Sequence, residues 1–163
     1  VLMLDIGSCY NPFRDGAMRD DLDVTALDLY PSKPFVDGGV YACDFLDIDV
    51  GDSGSALACS APTPEGTVVL QRLPAGYFDA ASISLVLSYL PRPEQRIDMI
   101  RKARTLLCEG TASSPHRRGL LLIMEKLSVL GGNGAKKKHG VDASAPLTHW
   151  KEQIVKCGFR LVT

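Results

Sequence analysis

The chain opens on an apolar run that passes directly into an Asp-x-Gly turn. Residues 1–4 read VLML, and Asp5-Ile6-Gly7 follows, succeeded by small and polar residues. An unbroken apolar run of this kind is typical of a parallel strand buried on both faces. Gly7 permits backbone conformations that other residues avoid, so a tight turn is expected there. Because ligands of open α/β sheets bind beyond the carboxyl ends of strands, this turn marks an expected binding site.

The order of the predicted elements indicates an α/β fold with a Rossmann-like, doubly wound, mostly parallel sheet. Strands alternate with helices, and right-handed crossovers are expected to place the helices on both faces of the sheet. Stretches rich in Gly, Ser and Pro, or in Gly and Lys, predict flexible loops at about 51–66 and 131–143. Strands are predicted at 1–7, 24–30, 78–90, 118–128 and 159–162, and helices at 11–22 (a weak pattern), 93–110 and 147–158. The segment 40–50 is predicted as a third strand followed by a turn, with Asp44 at the end of the strand.

The length and composition fit one soluble domain. A chain of 163 residues can bury a substantial core. The formal net charge of −1 provides no global basic field for non-specific binding of nucleic acid. The chain starts with Val rather than Met and opens directly on a strand. We therefore expect elements of the fold to be missing at both ends.

The cysteines and the hydropathy pattern constrain the cellular setting. The five cysteines are scattered, with no Cys-x-x-Cys pair and no Cys/His spacing typical of a metal site. This pattern predicts no metal and favours a reducing compartment. No apolar run approaches the ~18 residues of a membrane span, and no signal peptide is visible. The sequence therefore predicts a protein that is neither membrane-bound nor secreted.

Acidic residues stand at the ends of three successive predicted strands. They are Asp5, Asp28 and Asp44. A carboxylate after the second strand can accept hydrogen bonds from both hydroxyls of a ribose. Asp44 and Phe45 could offer an acceptor and an apolar face to an adenine, while Gly7 leaves room for the ligand. Because G-x-G-x-x-G is absent, a nucleoside without phosphates is favoured, which indicates S-adenosylmethionine rather than NAD.

These acids also have a simpler interpretation. Asp is common where a strand passes into a loop, because its side chain caps the turn. Together with the resemblance described next, the repetition at three strand ends favours ligand binding for Gly7 and Asp28. For Asp5 both interpretations stay open, since it could hold the turn alone.

Four strings in the chain resemble one methyltransferase-like family. The chain is similar to the fungal large-subunit ribosomal RNA adenine-N1 methyltransferase and to its animal relative, an S-adenosylmethionine sensor upstream of the TOR kinase complex. The resemblance extends from Leu4 to about Phe159 and implies the class I S-adenosylmethionine-dependent methyltransferase fold. The strings are DIGSCYNPF (5–13), ALDL (26–29), YACDFLDI (41–48) and SLVLSYLPRPEQR (84–96).

The resemblance implies a set of cofactor-binding residues. Gly7 matches the glycine of the cofactor turn, and Asp28 matches the acid that binds the ribose. Asp44 and Phe45 match the adenine side, and a serine on the fourth strand, Ser84 or Ser88, matches the position that closes the pocket. With the immediate neighbours of these positions, the expected set is Asp5, Gly7, Ser8, Asp28, Leu29, Asp44, Phe45, Ser84 and Ser88.

Two further motifs bear on a nucleic-acid substrate. Ser88-Tyr89-Leu90-Pro91 lies where amino-methyltransferases carry Asn/Asp-Pro-Pro-aromatic, but Ser replaces the acid or amide and one Pro is missing. Tyr89 could stack on a target adenine as a catalytic-site residue, or it could pack under the next helix. The basic run at 136–139 could contact RNA phosphates, although a solvated surface is the favoured interpretation.

Two functions from different classes follow. The first is methylation of an adenine N1 in large-subunit ribosomal RNA, with S-adenosyl-L-homocysteine as product, in the nucleus or nucleolus. This in-line transfer requires alignment of donor and acceptor rather than an elaborate acid–base set. The second is a non-catalytic S-adenosylmethionine sensor that regulates TOR signalling through a protein complex, in the cytoplasm. A methyltransferase acting on a small molecule or a protein is a third reading that the fold admits.

Overall fold

The computed structural model describes residues 1–14, 20–33, 35–110, 118–126 and 145–162. The strands are β1 (Leu2–Ile6), β2 (Asp23–Asp28), β3 (Val40–Ala42), β4 (Asp49–Gly51), β5 (Ala58–Cys59), β6 (Leu70–Pro74), β7 (Ala80–Ser84) and β8 (Leu120–Met124). The helices are α1 (Phe35–Gly38), α2 (Pro93–Leu106) and α3 (Ala145–Lys156), with a 3-10 turn at Leu87–Tyr89.

The central sheet has five parallel strands in the order β3-β2-β1-β7-β8. This arrangement, flanked by helices, confirms the predicted Rossmann-like α/β fold. From β1 the chain moves to β2 and β3 on one side, whereas β7 and β8 lie on the other side. The order therefore reverses between β1 and β7, and such a switch point opens a crevice at the carboxyl ends of the strands.

One face of the sheet carries the hydrophobic core. Leu4 of β1 lies in register with Ala81 of β7, which lies in register with Leu121 of β8. This row packs with buried residues of α2, among them Ile100 and Ala103, and with Trp150 and Ile154 of α3. Because side chains alternate along a strand, Asp5 and Ser82 belong to the opposite face, as do Leu120, Leu122 and Met124. Those last three are about half exposed or more, at 49%, 50% and 65%.

The turn after β1 is closed by backbone hydrogen bonds and by a close side-chain contact. The N–H groups of Gly7 and Ser8 both donate to the carbonyl of Leu27, at 2.8 and 2.9 Å. Gly7 has φ +77, and a Cβ there would lie 2.1 Å from Cγ2 of Val86. The missing side chain of Gly7 thus makes room for Val86, in addition to allowing the left-handed turn.

The segment 40–50, predicted as a strand that ends near Asp44 and is followed by a turn, contains two short strands. Val40–Ala42 forms β3 of the central sheet, whereas Asp49–Gly51 forms β4 of a second sheet with the order β4-β6-β5. The carboxylate of Asp44 accepts the N–H of Leu46 at 2.9 Å, and the backbone carbonyl of Asp44 accepts the N–H of Ile48. These bonds turn the chain out of the sheet, so the predicted end of the strand near Asp44 is confirmed, whereas the separate strand β4 was missed.

The loop predicted at 51–66 includes regular structure. Gly51 ends β4, and β5 lies within the range, paired antiparallel with β6. β6 itself was missed, because its sequence LQRLP contains a charge and a proline. The second predicted loop, 131–143, lies outside the described residues, as does the basic run at 136–139.

The second half of the chain follows the prediction with shorter elements. The predicted strand 78–90 is regular only over β7, because Leu85 has φ +58 and the 3-10 turn follows. The predicted strand 118–128 is regular over β8. Helix α2 begins at Pro93, as expected, but ends at Leu106 rather than at Gly110, since Leu107 is already extended. The N–H of Cys108 then donates to the carbonyl of Phe78 at 2.8 Å.

Two predicted elements do not form in the described part of the chain. The segment 159–162 is not a strand, and it pairs with no described strand. Of the weak helix at 11–22, the described positions 11–14 and 20–22 are turns and irregular backbone. In the described ranges, no helix has the length and apolar character needed to cross a membrane.

The contact between Gly7 and Val86 predicts a large difference between two glycine substitutions. Gly54 also has a left-handed φ, +88, but nothing lies within 4 Å of its Cβ position. Gly54→Ala should therefore lower the free energy of unfolding by about 1 kcal/mol, the cost of the backbone conformation alone. Gly7→Ala should cost at least about 3 kcal/mol, because overpacking adds to that cost. Urea unfolding measures both, and equal losses would contradict a rigid Val86 contact.

Candidate functional site

The carboxylate of Asp28 joins the turns that follow β1 and β2. Its Oδ2 accepts the backbone N–H of Cys9 at 3.1 Å, and its Oδ1 accepts the backbone N–H of Tyr30 at 2.7 Å. The side chain is oriented by these donors, yet each carboxylate oxygen has a second lone pair for another donor. Asp28 therefore caps two turns and still has acceptor positions for ligand hydroxyls.

Additional bonds hold the same strand ends together. The carbonyl of Cys9 accepts both the N–H and the hydroxyl of Ser32, each at 2.9 Å. The carbonyl of Asp28 accepts the N–H of Cys43, just after β3, at 2.8 Å. The structure thus brings the ends of β1, β2 and β3 together around Asp28, at the sheet edge where the sequence places the site.

Asp44 and Phe45 occupy different environments. Asp44 is exposed and caps its own turn through Leu46, so the turn-capping interpretation is confirmed for Asp44 as it is for Asp28. The Phe45 ring is 4% exposed and belongs to the hydrophobic core. Its assignment as an open face for adenine remains a prediction, and in this structure the ring packs inward.

Asp5 lies inside β1 rather than at the mouth of the site. It pairs in register with Ala26 and Ser82 and is 3% exposed. Burial raises the pKa of its carboxyl group above the ordinary 3.8, and the charge of Asp28 raises that pKa further. Hydrogen bonds with the Ser8 and Ser82 side chains lower the pKa in part. The Ser8 hydroxyl also accepts the N–H of Asn11 at 3.1 Å. Through these hydrogen bonds, Asp5 and Ser8 stabilise the turn after β1.

The remaining predicted residues are spread along the same edge. Leu29 follows Asp28 and is 52% exposed. Ser84 is the last residue of β7 and is half-buried. Ser88 donates its N–H to the Glu125 carboxylate at 3.1 Å and its hydroxyl to the carbonyl of Leu85 at 3.0 Å. Tyr89 is 84% exposed, so the interpretation that it packs under the next helix is wrong.

Sequence reasoning missed Glu125 and Asn11. Glu125 follows β8 directly, so the rule that selected acids at the first three strand ends would have found it. Asn11 is 8% exposed with φ +52, and its Oδ1 is buried without a partner in the described part of the chain. No simple sequence signal marks that conformation, apart from the tolerance of Asn for the left-handed region.

A groove of about 660 Å³ lies away from these residues, beside β8, the last strand of the sheet in the described part of the chain. Its walls include Leu121 and Ile123 of β8, Ile154 of α3, and Phe159 and Leu161 beyond it. None of the predicted site residues lines it. Within the described ranges, the structure contains no group of three or more His, Cys, Asp or Glu that could hold a metal ion.

The fold and the site together define a class. The chain is a Rossmann-like α/β protein whose candidate site lies at the carboxyl ends of its strands and offers carboxylate acceptors. Acceptors of this kind suit the hydroxyl and amino donors of a nucleoside.

Comparison with known proteins points to particular relatives. The chain is 30% identical over 170 aligned positions, covering all of it, to the S-adenosylmethionine sensor upstream of mTORC1 of Xenopus tropicalis. It is 29% identical over its whole length to the protein of the same name from Xenopus laevis, and 33% identical over 98% of its length to that of Danio rerio. The chain spans about a third of the length of these curated relatives, 35% in each case. No protein-family model matches the chain.

The buried Asp5 predicts a specific dependence of stability on pH. Burial raises the pKa of Asp5 in the folded state above its ordinary 3.8. Between 3.8 and the raised pKa, the folded state therefore binds more protons than the unfolded state, so stability falls as the pH rises through this interval. Asp5→Asn removes this titration and can keep hydrogen bonds with Ser8 and Ser82. The variant should therefore gain stability relative to the native chain as the pH rises from 3 to 7. A difference in urea unfolding that stays constant with pH would contradict this account.

Proposed function

We propose that this chain is a sensor domain that binds S-adenosylmethionine and acts upstream of mTORC1 through a protein partner. The observation that carries the proposal is the similarity, along almost the whole chain, to three proteins named as such sensors. The geometry of the strand ends is compatible with this ligand, because Asp28 offers oriented oxygens to hydroxyl donors.

The ligand would be held chiefly through its nucleoside. Asp28 would accept the ribose hydroxyls, and Asp44 would accept the adenine amino group. Gly7, Ser8 and Leu29 would border the ligand at the turns, with Ser84 or Ser88 closing the pocket on the β7 side. S-adenosyl-L-homocysteine carries the same nucleoside, so both compounds are proposed ligands of one site.

A sensor requires a difference in partner affinity between the free and ligand-bound states. It requires no group that reacts with a methyl acceptor, and the incomplete Asn/Asp-Pro-Pro-aromatic motif around Tyr89 agrees with that. We also propose the cytoplasm as the location, as part of the sensor reading. Methylation of ribosomal RNA is the competing reading, supported by the exposed ring of Tyr89, which a target base could reach.

Calorimetric titration with S-adenosylmethionine and S-adenosyl-L-homocysteine tests the proposed site. Both should bind the native chain, and Asp28→Ala should weaken both at least about tenfold, since a hydrogen bond to a charged group contributes about 1.5–3 kcal/mol. Asp49→Ala is the matched control, because Asp49 is an exposed aspartate in the second sheet. The Asp49→Ala variant should bind both ligands with the same affinity as the native chain.

Methyl transfer from labelled S-adenosylmethionine to large-subunit ribosomal RNA separates the two readings. A sensor should transfer no label under conditions in which the titration shows saturated ligand. Transfer that depends on Asp28 and on Tyr89 would contradict the sensor proposal in favour of the methyltransferase. Failure of both ligands to bind the native chain would contradict both readings.

A further inference from the structure

Lys102 of α2 is bonded to the turn that follows β3. Its ammonium group donates to two backbone carbonyls of this turn, those of Leu46 and Ile48, the latter at 2.9 Å. The side chain is half-buried and joins parts of the chain that are 54 positions apart at Ile48. Hydrogen bonds from a charged donor are stronger than those between neutral groups. Lys102 therefore connects this turn firmly to α2.

The other hydrogen bonds of the turn are formed within it. The carboxylate of Asp44 accepts the N–H of Leu46 at 2.9 Å, and the backbone carbonyl of Asp44 accepts the N–H groups of Asp47 and Ile48, at 3.1 and 3.0 Å. Bonds between residues of one turn set its shape. The bonds from Lys102 come from another element, so they set the position of the turn relative to the rest of the fold.

This turn begins with the carboxylate proposed for the adenine amino group. Asp28 lies in register with Ala42 of β3, and its carbonyl accepts the N–H of Cys43 at 2.8 Å. Asp44 is the next residue along the chain, which places it beside the ribose-binding position. Its Oδ1 accepts the N–H of Leu46. Among the described residues, Oδ2 is therefore the carboxylate oxygen left for a ligand donor.

A buried thiol reports that both charges are near the start of the turn. The pKa of Cys43 is raised to about 12, chiefly by burial. The negative charge of Asp44 adds to this rise, whereas the positive charge of Lys102 opposes it. The turn contains a second acid, the exposed Asp47, but Asp44 is the one whose carboxylate is oriented by a backbone donor.

We propose that Lys102 is a positioning residue that orients Asp44 toward the adenine amino group and thereby sets the selectivity of the site for the base. This inference rests on the proposed function and adds a residue that acts through the turn without touching the ligand. Without the ammonium group, the turn stays attached through the N–H of Cys43 and the buried ring of Phe45. Its far end is then no longer fixed against α2, so the Asp44 carboxylate loses its orientation.

The test is calorimetric titration with two compounds. One is S-adenosyl-L-homocysteine, and the other is its analogue with a purine base that lacks the 6-amino group. The native chain should prefer the first at least about tenfold, the contribution of a hydrogen bond to a charged group. Asp44→Ala removes the acceptor and should bind both compounds about equally. Lys102→Met keeps an apolar side chain without the two bonds, and its preference should fall to within about threefold.

The affinity of Lys102→Met for the purine analogue should stay close to that of the native chain, because Asp28 is intact. The double variant Lys102→Met/Asp44→Ala should show the preference of Asp44→Ala alone, since both changes remove the same interaction. Arg101→Met is the matched control, because Arg101 is an exposed cation of α2 that contacts Asp98 at 3.1 Å. It should keep the native preference. Any unfolded fraction lowers the stoichiometry for both compounds and leaves the ratio of their dissociation constants unchanged.

Several results would overturn the inference. A native preference in Lys102→Met would show that Lys102 does not orient Asp44. An equal loss of affinity for both compounds in that variant would make Lys102 a residue of the fold alone. A changed preference in Arg101→Met would assign the effect to the charge of the helix rather than to the two bonds.

Two results for the native chain separate this inference from the proposed function. If the native chain binds both compounds equally, Asp44 does not contact the amino group, and the inference fails while ligand binding stands. If the native chain binds neither compound, the proposed function fails and the inference fails with it.

Discussion

The close approach of Gly7 to Val86 is the constraint on which the arrangement of the site depends. The two residues belong to the ends of β1 and β7, the strands that flank the point where the order of the sheet reverses. A Cβ at position 7 would lie 2.1 Å from the Val86 side chain. Because no side chain intervenes, the β1 turn can fold back so that the N–H groups of Gly7 and Ser8 reach the carbonyl of Leu27. That closure places Cys9 within reach of Asp28.

Asp28 then converts the closed turn into a connected site. Its two carboxylate oxygens hold the backbone on either side, at Cys9 and at Tyr30, while its carbonyl holds the start of the turn after β3. Turn capping and ligand binding are therefore not alternatives for this residue. A carboxylate oriented by backbone donors loses little conformational freedom when a ligand arrives, which is the advantage of preorganisation.

Much of the fold follows from local sequence pattern. The apolar runs at β1, β2 and β8 predict strands, although β8 is partly exposed rather than buried, and Pro93 predicts the start of α2. The predictions fail where a distant partner decides the outcome. Leu70–Pro74 becomes a strand because β4 and β5 supply neighbours, although its own sequence is a poor strand pattern. Residues 159–162 have a good strand pattern but pair with no described strand, so the pattern alone is insufficient.

The candidate site, too, is predictable where local sequence decides and unpredictable where distant residues decide. An acid at the end of β2 was predictable from position, and the same rule extends to Glu125 after β8. The hydrogen bonds from Cys9 and Tyr30 were not predictable, because they depend on how two turns meet in space. The inward packing of Phe45 could not be predicted either, because an aromatic residue after a strand can contact a ligand or pack in the core equally well.

The most direct measurement is an experimental structure of this chain with S-adenosylmethionine bound. The account predicts that the ribose hydroxyls lie within hydrogen-bond distance, about 2.5–3.0 Å, of the Asp28 carboxylate oxygens. A ligand held in the groove along β8, or anywhere out of contact with Asp28, would contradict the central claim.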